Sequence, residues 1–116
     1  MKLEREIVLS AADTVSQNGA AIPSDQLVTA SFQAVFGDAT AAGTVQVQAS
    51  NDVSNQAQNF VPTNWSNIPN ASATIASGAS ALITINVLSY NYIRVIYTSV
   101  SGGSSTIVVT MFAVSV

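Results

Sequence analysis

The sequence predicts an all-β chain folded as an antiparallel, jelly-roll-like β-sandwich of seven or eight strands, a single domain over residues 1–116. Three observations carry this expectation. Apolar residues recur with a period of two in a series of short segments. Clusters of Gly, Asn, Asp and Pro separate those segments. No helical period of useful length appears, apart from one turn's worth near 53–58. A chain of 116 residues is also near the commonest domain size, and long enough to bury a core without disulfides or metal.

The start, "MKLEREIVLSAAD", is charged, and residues 1–6 are expected to form an N-terminal arm that engages a neighbour. Glu4, Arg5 and Glu6 interrupt it before any apolar stretch, so no secretory leader is expected in it. "QNGAAIPSD" (17–25) and "GDATAAG" (37–43) read as turns or short loops. Between them "LVTASFQAVF" places Val28, Ala30, Phe32, Ala34 and Phe36 on one face of a strand. In "GTVQVQAS" Val45, Val47 and Ala49 oppose Thr44, Gln46 and Gln48. The segment 51–72, with Pro62, Pro69 and six Asn, reads as a long irregular loop. Its Phe60 and Trp65 are expected to plug one end of the sandwich.

"ALITINV" sets Leu82 against Ile83, Ile85 and Val87, and "YNYIRVIYT" sets Ile93, Val95 and Tyr97 against Tyr92, Arg94 and Ile96. "SGGSS" (101–105) is a hairpin loop. "STIVVTMFAV" is apolar on both faces, as in a strand covered on both sides. Strands are thus expected at 27–36, 43–50, 80–87, 90–98 and 105–115. The expected core is Phe32, Val45, Val47, Ile85, Ile93, Val95, Val109 and Phe112.

Charged residues are only 8% of the chain, against roughly 25% in ordinary globular proteins. Arg94 is the only charged residue after Asp52. Three basic residues, Lys2, Arg5 and Arg94, leave no footprint for nucleic acid. No apolar run approaches the ~18 residues of a membrane helix. The chain is therefore expected to be a soluble product of the cytoplasm, with neither nucleic acid nor membrane as partner. With no histidine and no cysteine, the Ser-His-Asp and Cys-nucleophile chemistries are closed to it. No catalytic, metal or cofactor-binding residue is assigned, and the expectation is a protein that is not an enzyme.

Asp13, Asp25, Asp38 and Asp52 each lie in or beside a turn, where aspartate bonds to backbone. A calcium site from Asp52, Asn51 and Asn55 would have one carboxylate, poor equipment for that ion. "NWS" (64–66) and "NAS" (70–72) match the N-glycosylation pattern, which is short and frequently met by chance. Arg94 alternates with Tyr92 and Ile96, so its guanidinium is expected over a tyrosine ring or in contact with another chain.

A sandwich normally guards its surface with charge. This one does so only near residues 2–6, while neutral polar and small surfaces desolvate cheaply and pack on one another. Arg94, Tyr92, Gln46 and Gln48 are the candidate interface residues. In an alternative reading, Trp65, Tyr90 and Tyr92 form a platform for a glycan.

The segments "GTVQVQASND" (43–52), "PTNWSNIP" (62–69) and "YNYIRVIYTSVSGG" (90–103), in that order, resemble small β-sandwich structural proteins of tailed-bacteriophage virions. The resemblance spans residues 43–114. It implies a virion component of the capsid decoration or tail accessory type, which oligomerises or docks on a lattice of other virion proteins. It implies no cofactor and carries over no catalytic residue. Related sandwiches also serve as carbohydrate-binding or receptor-binding modules, which is the alternative function. Localisation in the virion follows from the resemblance, after synthesis in the host cytoplasm.

Overall fold

A computed structural model describes residues 2–53, 60–76, 78–87, 89–101 and 105–115. Nine strands follow in order: β1 (Lys2–Ala12), β2 (Gln17–Asn18), β3 (Ile22–Pro23), β4 (Leu27–Phe36), β5 (Ala42–Ser50), β6 (Ser66–Ile75), β7 (Ser80–Asn86), β8 (Tyr92–Ser101) and β9 (Thr106–Ser115). They form two antiparallel sheets. The first has the order β1-β9-β4-β7; the second has β2-β8-β5-β6, with β3 pairing β8 beyond β2. All ladders are antiparallel, and the two sheets pack face to face over one apolar core.

The period of two places the core as expected in most strands. Phe32, Val45, Val47, Ile85, Ile93, Val95 and Val109 are all buried. Tyr97 joins them, its ring edge-on to Phe36 at 5.9 Å and its hydroxyl donating to the Asp13 carbonyl at 2.6 Å. Gly43 lies under that ring: a Cβ there would sit 2.5 Å from the Tyr97 ring edge, so the close approach requires glycine.

Phe112 is a correction. β9 turns Ile107, Val109, Met111 and Ala113 inward, and Phe112 stands half-buried on the outer surface. Val28 is another, for a register shift between Leu27 and Thr29 turns Leu27 into the core and leaves Val28 half-buried.

Two full strands and two short ones lie where none was expected. Residues 2–6, read as an arm, pair with 111–115 as the first half of β1. A bulge between Ile7 and Leu9 buries both Val8 and Leu9. Residues 66–72, read as loop, form β6 together with 73–75, beside β5. Here four residues, 68–71, stand opposite Val47 alone, and Asn70 takes φ 60° within that bulge. Residues 17–18 and 22–23, read as turn, add two-residue strands to β8. All but Val53 of the helical turn expected near 53–58, and the centre of the 101–105 loop, lie outside the described residues.

Candidate interaction surfaces

Strand register defines what each sheet shows to the outside. On the four-stranded sheet four rows cross from β1 to β7: Ser10–Val108–Val35–Ser80, Ile7–Thr110–Gln33–Leu82, Arg5–Phe112–Ser31–Thr84 and Leu3–Val114–Thr29–Asn86. Arg5 is the one charge in those four rows of four. Its guanidinium lies 5.3 Å from the Phe112 ring centroid. Leu3 (59%), Ile7 (65%) and Leu82 (69%) are well exposed. Single exposed apolar residues are ordinary, but a whole sheet face with so little charge is not. A depression of about 260 Å³ sits in its middle, lined by Arg5, Ser31, Gln33, Leu82, Thr110 and Phe112.

The outer face of the second sheet is dressed by the chain itself. Tyr92 and Arg94 point outward from β8, and Gln46 and Gln48 from β5, with Gln48 opposite Arg94. Arg94 stacks on Trp65, 4.4 Å from the ring centroid, and its Nε donates to Gln48 Oε1 at 2.9 Å. The expected tyrosine partner is thus replaced by tryptophan; Tyr92 instead meets Phe60, with ring centroids 5.9 Å apart. Burial lowers the Arg94 pKa from its ordinary value, and an arginine still stays charged at neutral pH. Phe60 and Trp65 lie across this sheet face, which corrects the expectation that they plug one end of the sandwich.

Asp52 anchors the segment that brings Trp65 there. Its Oδ2 accepts from the backbone N–H of Thr63 (2.8 Å) and Asn64 (3.0 Å), and its Oδ1 from Asn64 Nδ2 (2.9 Å). These bonds, with that from the Asn64 backbone the largest, hold the Asp52 carboxyl below the ordinary aspartate value of 3.8. Both oxygens of the candidate calcium ligand therefore face donors. Asn51 Oδ1 accepts from the Asn91 N–H, and Asn55 is outside the described residues. Among the described residues, no group of three or more His, Cys, Asp or Glu could hold a metal ion. No described helix is long and apolar enough to cross a membrane.

Gln46 has a role that alternation alone does not reveal. Its Nε2 donates to the carbonyls of Val47 (2.7 Å), Ile68 (3.2 Å) and Ala71 (3.2 Å), bridging the bulge of β6. Gln48 reaches Asn67 at 2.9 Å. The structure brings Trp65, Arg94, Gln48 and Asn67 together, with Tyr92 beside Phe60. Tyr90 adjoins this group at Asn67: it packs against the core, and its exposed part lines a depression of about 260 Å³ with Asn64, Ser66 and Asn67. Asp38 serves its turn, accepting from the Thr40 N–H and hydroxyl at 2.8 and 2.7 Å.

No protein-family model and no curated protein matches this chain. Solved structures do. The SPBc2 prophage-derived protein YomS is similar with a TM-score of 0.62 at 10% identity, over 98% of this chain and 94% of that one. The PBSX exported protein XepA gives a TM-score of 0.68 at 16% identity, over 97% of this chain but 37% of the longer one. A Bacillus endospore appendage protein, from a family of disulfide-linked pili, gives 0.52 at 14% identity, over 98% and 88%. At such identities the likeness shows the fold, a two-sheet antiparallel β-sandwich.

Proposed function

We propose that this chain is a non-enzymatic structural subunit of a bacteriophage virion, of the capsid decoration or accessory type, that packs on other virion proteins and on copies of itself. One observation carries the reading: the outer face of the four-stranded sheet has a single charge, Arg5, which already lies against Phe112. Such a face is desolvated at little cost and suits a neutral protein surface. The strand order supports a jelly-roll, since the chain passes between sheets at nearly every connection and β1-β9-β4-β7 lies over β2-β8-β5-β6. Viral capsid and lectin domains share that architecture. The likeness to the prophage-derived protein YomS adds support of the same kind.

The test is co-sedimentation with virions and empty capsids of the phage whose genome carries the gene. Exposed charges are screened over about 10 Å at 0.1 M salt, while neutral contacts are not. Binding that persists at about 1 M salt supports the reading. A protein that ignores capsids and virions overturns it.

A second reading has its own observation. Arg94, Trp65, Gln48 and Asn67 group a cation, an aromatic ring and amides on one face, the equipment of a carbohydrate-binding or receptor-binding site. Saturable quenching of Trp65 fluorescence by a polysaccharide, with binding measured by calorimetry lost in Trp65→Ala, would favour it.

A further inference from the structure

Each sheet has two open edges, and three of the four are blunted by different devices. β1 carries Glu4, Arg5 and Glu6 and a bulge. β6 carries Pro69 and the bulge with Asn70 at φ 60°. The opposite edge of that sheet is made by β2 and β3, two residues each, the second ending in Pro23. These are the means by which sandwiches prevent strand addition. β7, "SALITIN", has none of them: over seven residues it has no charge, no proline and an unbroken register with β4.

Its backbone is presented for pairing. The Val87 N–H donates to the Val28 carbonyl at 3.0 Å, in register with the β4–β7 ladder. Hydrogen-bonded pairs alternate along an antiparallel ladder, so Ala81, Ile83 and Ile85 bond to β4, and Leu82 and Thr84 turn their N–H and C=O groups away from it. No other described strand pairs with β7. Leu82 and Thr84 also have exposed side chains, Leu82 at 69%.

We propose that the open edge of β7 is a self-association edge, on which a second copy of this chain adds its own β7 antiparallel across a two-fold axis. Two four-stranded sheets thereby become one of eight. The inference rests on the assembly reading above and names the contact between copies.

The register is self-complementary, since pairing centred on Ile83 sets the outward N–H and C=O groups of Leu82 in each copy against those of Thr84 in the other, and the arrangement of charge permits it. The chain is net negative at −3, and the charged turn adjoining β7 is that of Asp38: a Cβ on Gly78 would lie 2.6 Å from the Asp38 carbonyl oxygen. Pairing centred on Ile83 sends the two Asp38 turns to opposite ends of the ladder, roughly 30 Å apart at about 3.4 Å per residue. That is well beyond the screening distance of about 8–10 Å. Leu82 of each copy then stands beside Thr84 of the other, an apolar and β-branched pair suited to a strand surface. The joined sheet also doubles the charge-poor outer face.

The experiment measures mass against concentration by sedimentation equilibrium, with amide hydrogen exchange at Leu82 and Thr84, for the wild type, Thr84→Lys and Thr84→Pro. Lysine sets a like charge on each side of the two-fold; proline removes an outward donor while leaving the β4 bonds of Ile83 and Ile85 in place. The expected result is a wild-type dimer with protected Leu82 and Thr84 amides that lose protection on dilution. Both variants should keep the wild-type circular dichroism spectrum and lose association by roughly 100-fold or more. A wild type that stays monomeric, or a dimer unchanged by both substitutions, overturns the proposal. Virion co-sedimentation separates the two claims: a monomer that still binds capsids defeats the β7 edge alone, whereas a dimer that ignores capsids defeats the virion reading alone.

Discussion

The two outer faces of the sandwich are built from similar strands and end in different states. The face of the second sheet is covered by its own chain: Asp52 ties down Thr63 and Asn64, and Trp65 then lies on Arg94. Gln46 meanwhile satisfies three carbonyls at the β6 bulge. Among the described residues the face of the four-stranded sheet has no such cover, and Leu3, Ile7 and Leu82 stand exposed on it. The difference teaches where to look for a partner. Gln46, Gln48 and Arg94, which look available on the second sheet, already have partners, and the less covered surface lies on the other side of the molecule.

The largest effect that can sharpen this comparison comes from the layer between the faces. Phe32 is 1% exposed, and Phe32→Ala should cost about 3–5 kcal/mol in urea unfolding. For a domain whose whole stability is roughly 5–15 kcal/mol, that approaches loss of the fold. Phe112→Ala, one strand away but on the outer face, should cost only about 1–2 kcal/mol, for partial burial and the Arg5 contact. Equal losses would mean that Phe112 is covered after all.

A smaller effect tests the dressed face. Gln46→Ala removes the donor shared by the Val47 carbonyl and the Ile68 and Ala71 carbonyls of the bulge and should cost about 1–2 kcal/mol, with faster amide exchange in 68–71. An unchanged melting curve would show that water replaces the amide freely.

Asp52→Ala should loosen residues 60–65 and shift the Trp65 emission while leaving the global unfolding transition nearly in place. The acid titration has a definite sign. The folded-state pKa of Asp52 is depressed, so its contribution is present above the ordinary value of 3.8 and is lost as pH falls through the lower folded value. The wild-type Trp65 signal should therefore change on the acid side of 3.8, and Asp52→Ala should lack that step. A step that persists in the variant would assign it to another carboxylate.

Much of the fold was legible because one face of a strand is buried and the other is not. β4, β5, β7 and β8 repeat that contrast over most of their length, apart from the register shifts at Leu27 and between Ala42 and Gly43. β1 and β6 were not legible, because each contains a bulge that breaks the period where it would have been read. In β1 the bulge buries Val8 and Leu9 side by side, and the charges at 4–6 resemble an arm. In β6 the buried Ile68, Ala71 and Ile75 follow no period of two, and Pro69 and Asn70 signal a loop. The inside and outside of β9 could not be told apart, since both faces are apolar; hence the wrong side for Phe112. Of the candidate residues, the pairing of Arg94 with Gln48 follows from register, whereas its stacking on Trp65 depends on a loop whose path no local pattern reveals.

The most direct test of the central claim, that the uncovered face of the four-stranded sheet is the assembly surface, is virion co-sedimentation of Gln33→Lys beside the wild type. Gln33 is exposed, lies in the middle of that face and lines its depression. A lysine there should change stability by less than about 0.5 kcal/mol, yet it puts an unpaired ammonium into any tight interface. The account predicts a folded variant that no longer binds. Capsid binding equal to wild type by a folded Gln33→Lys protein would contradict it.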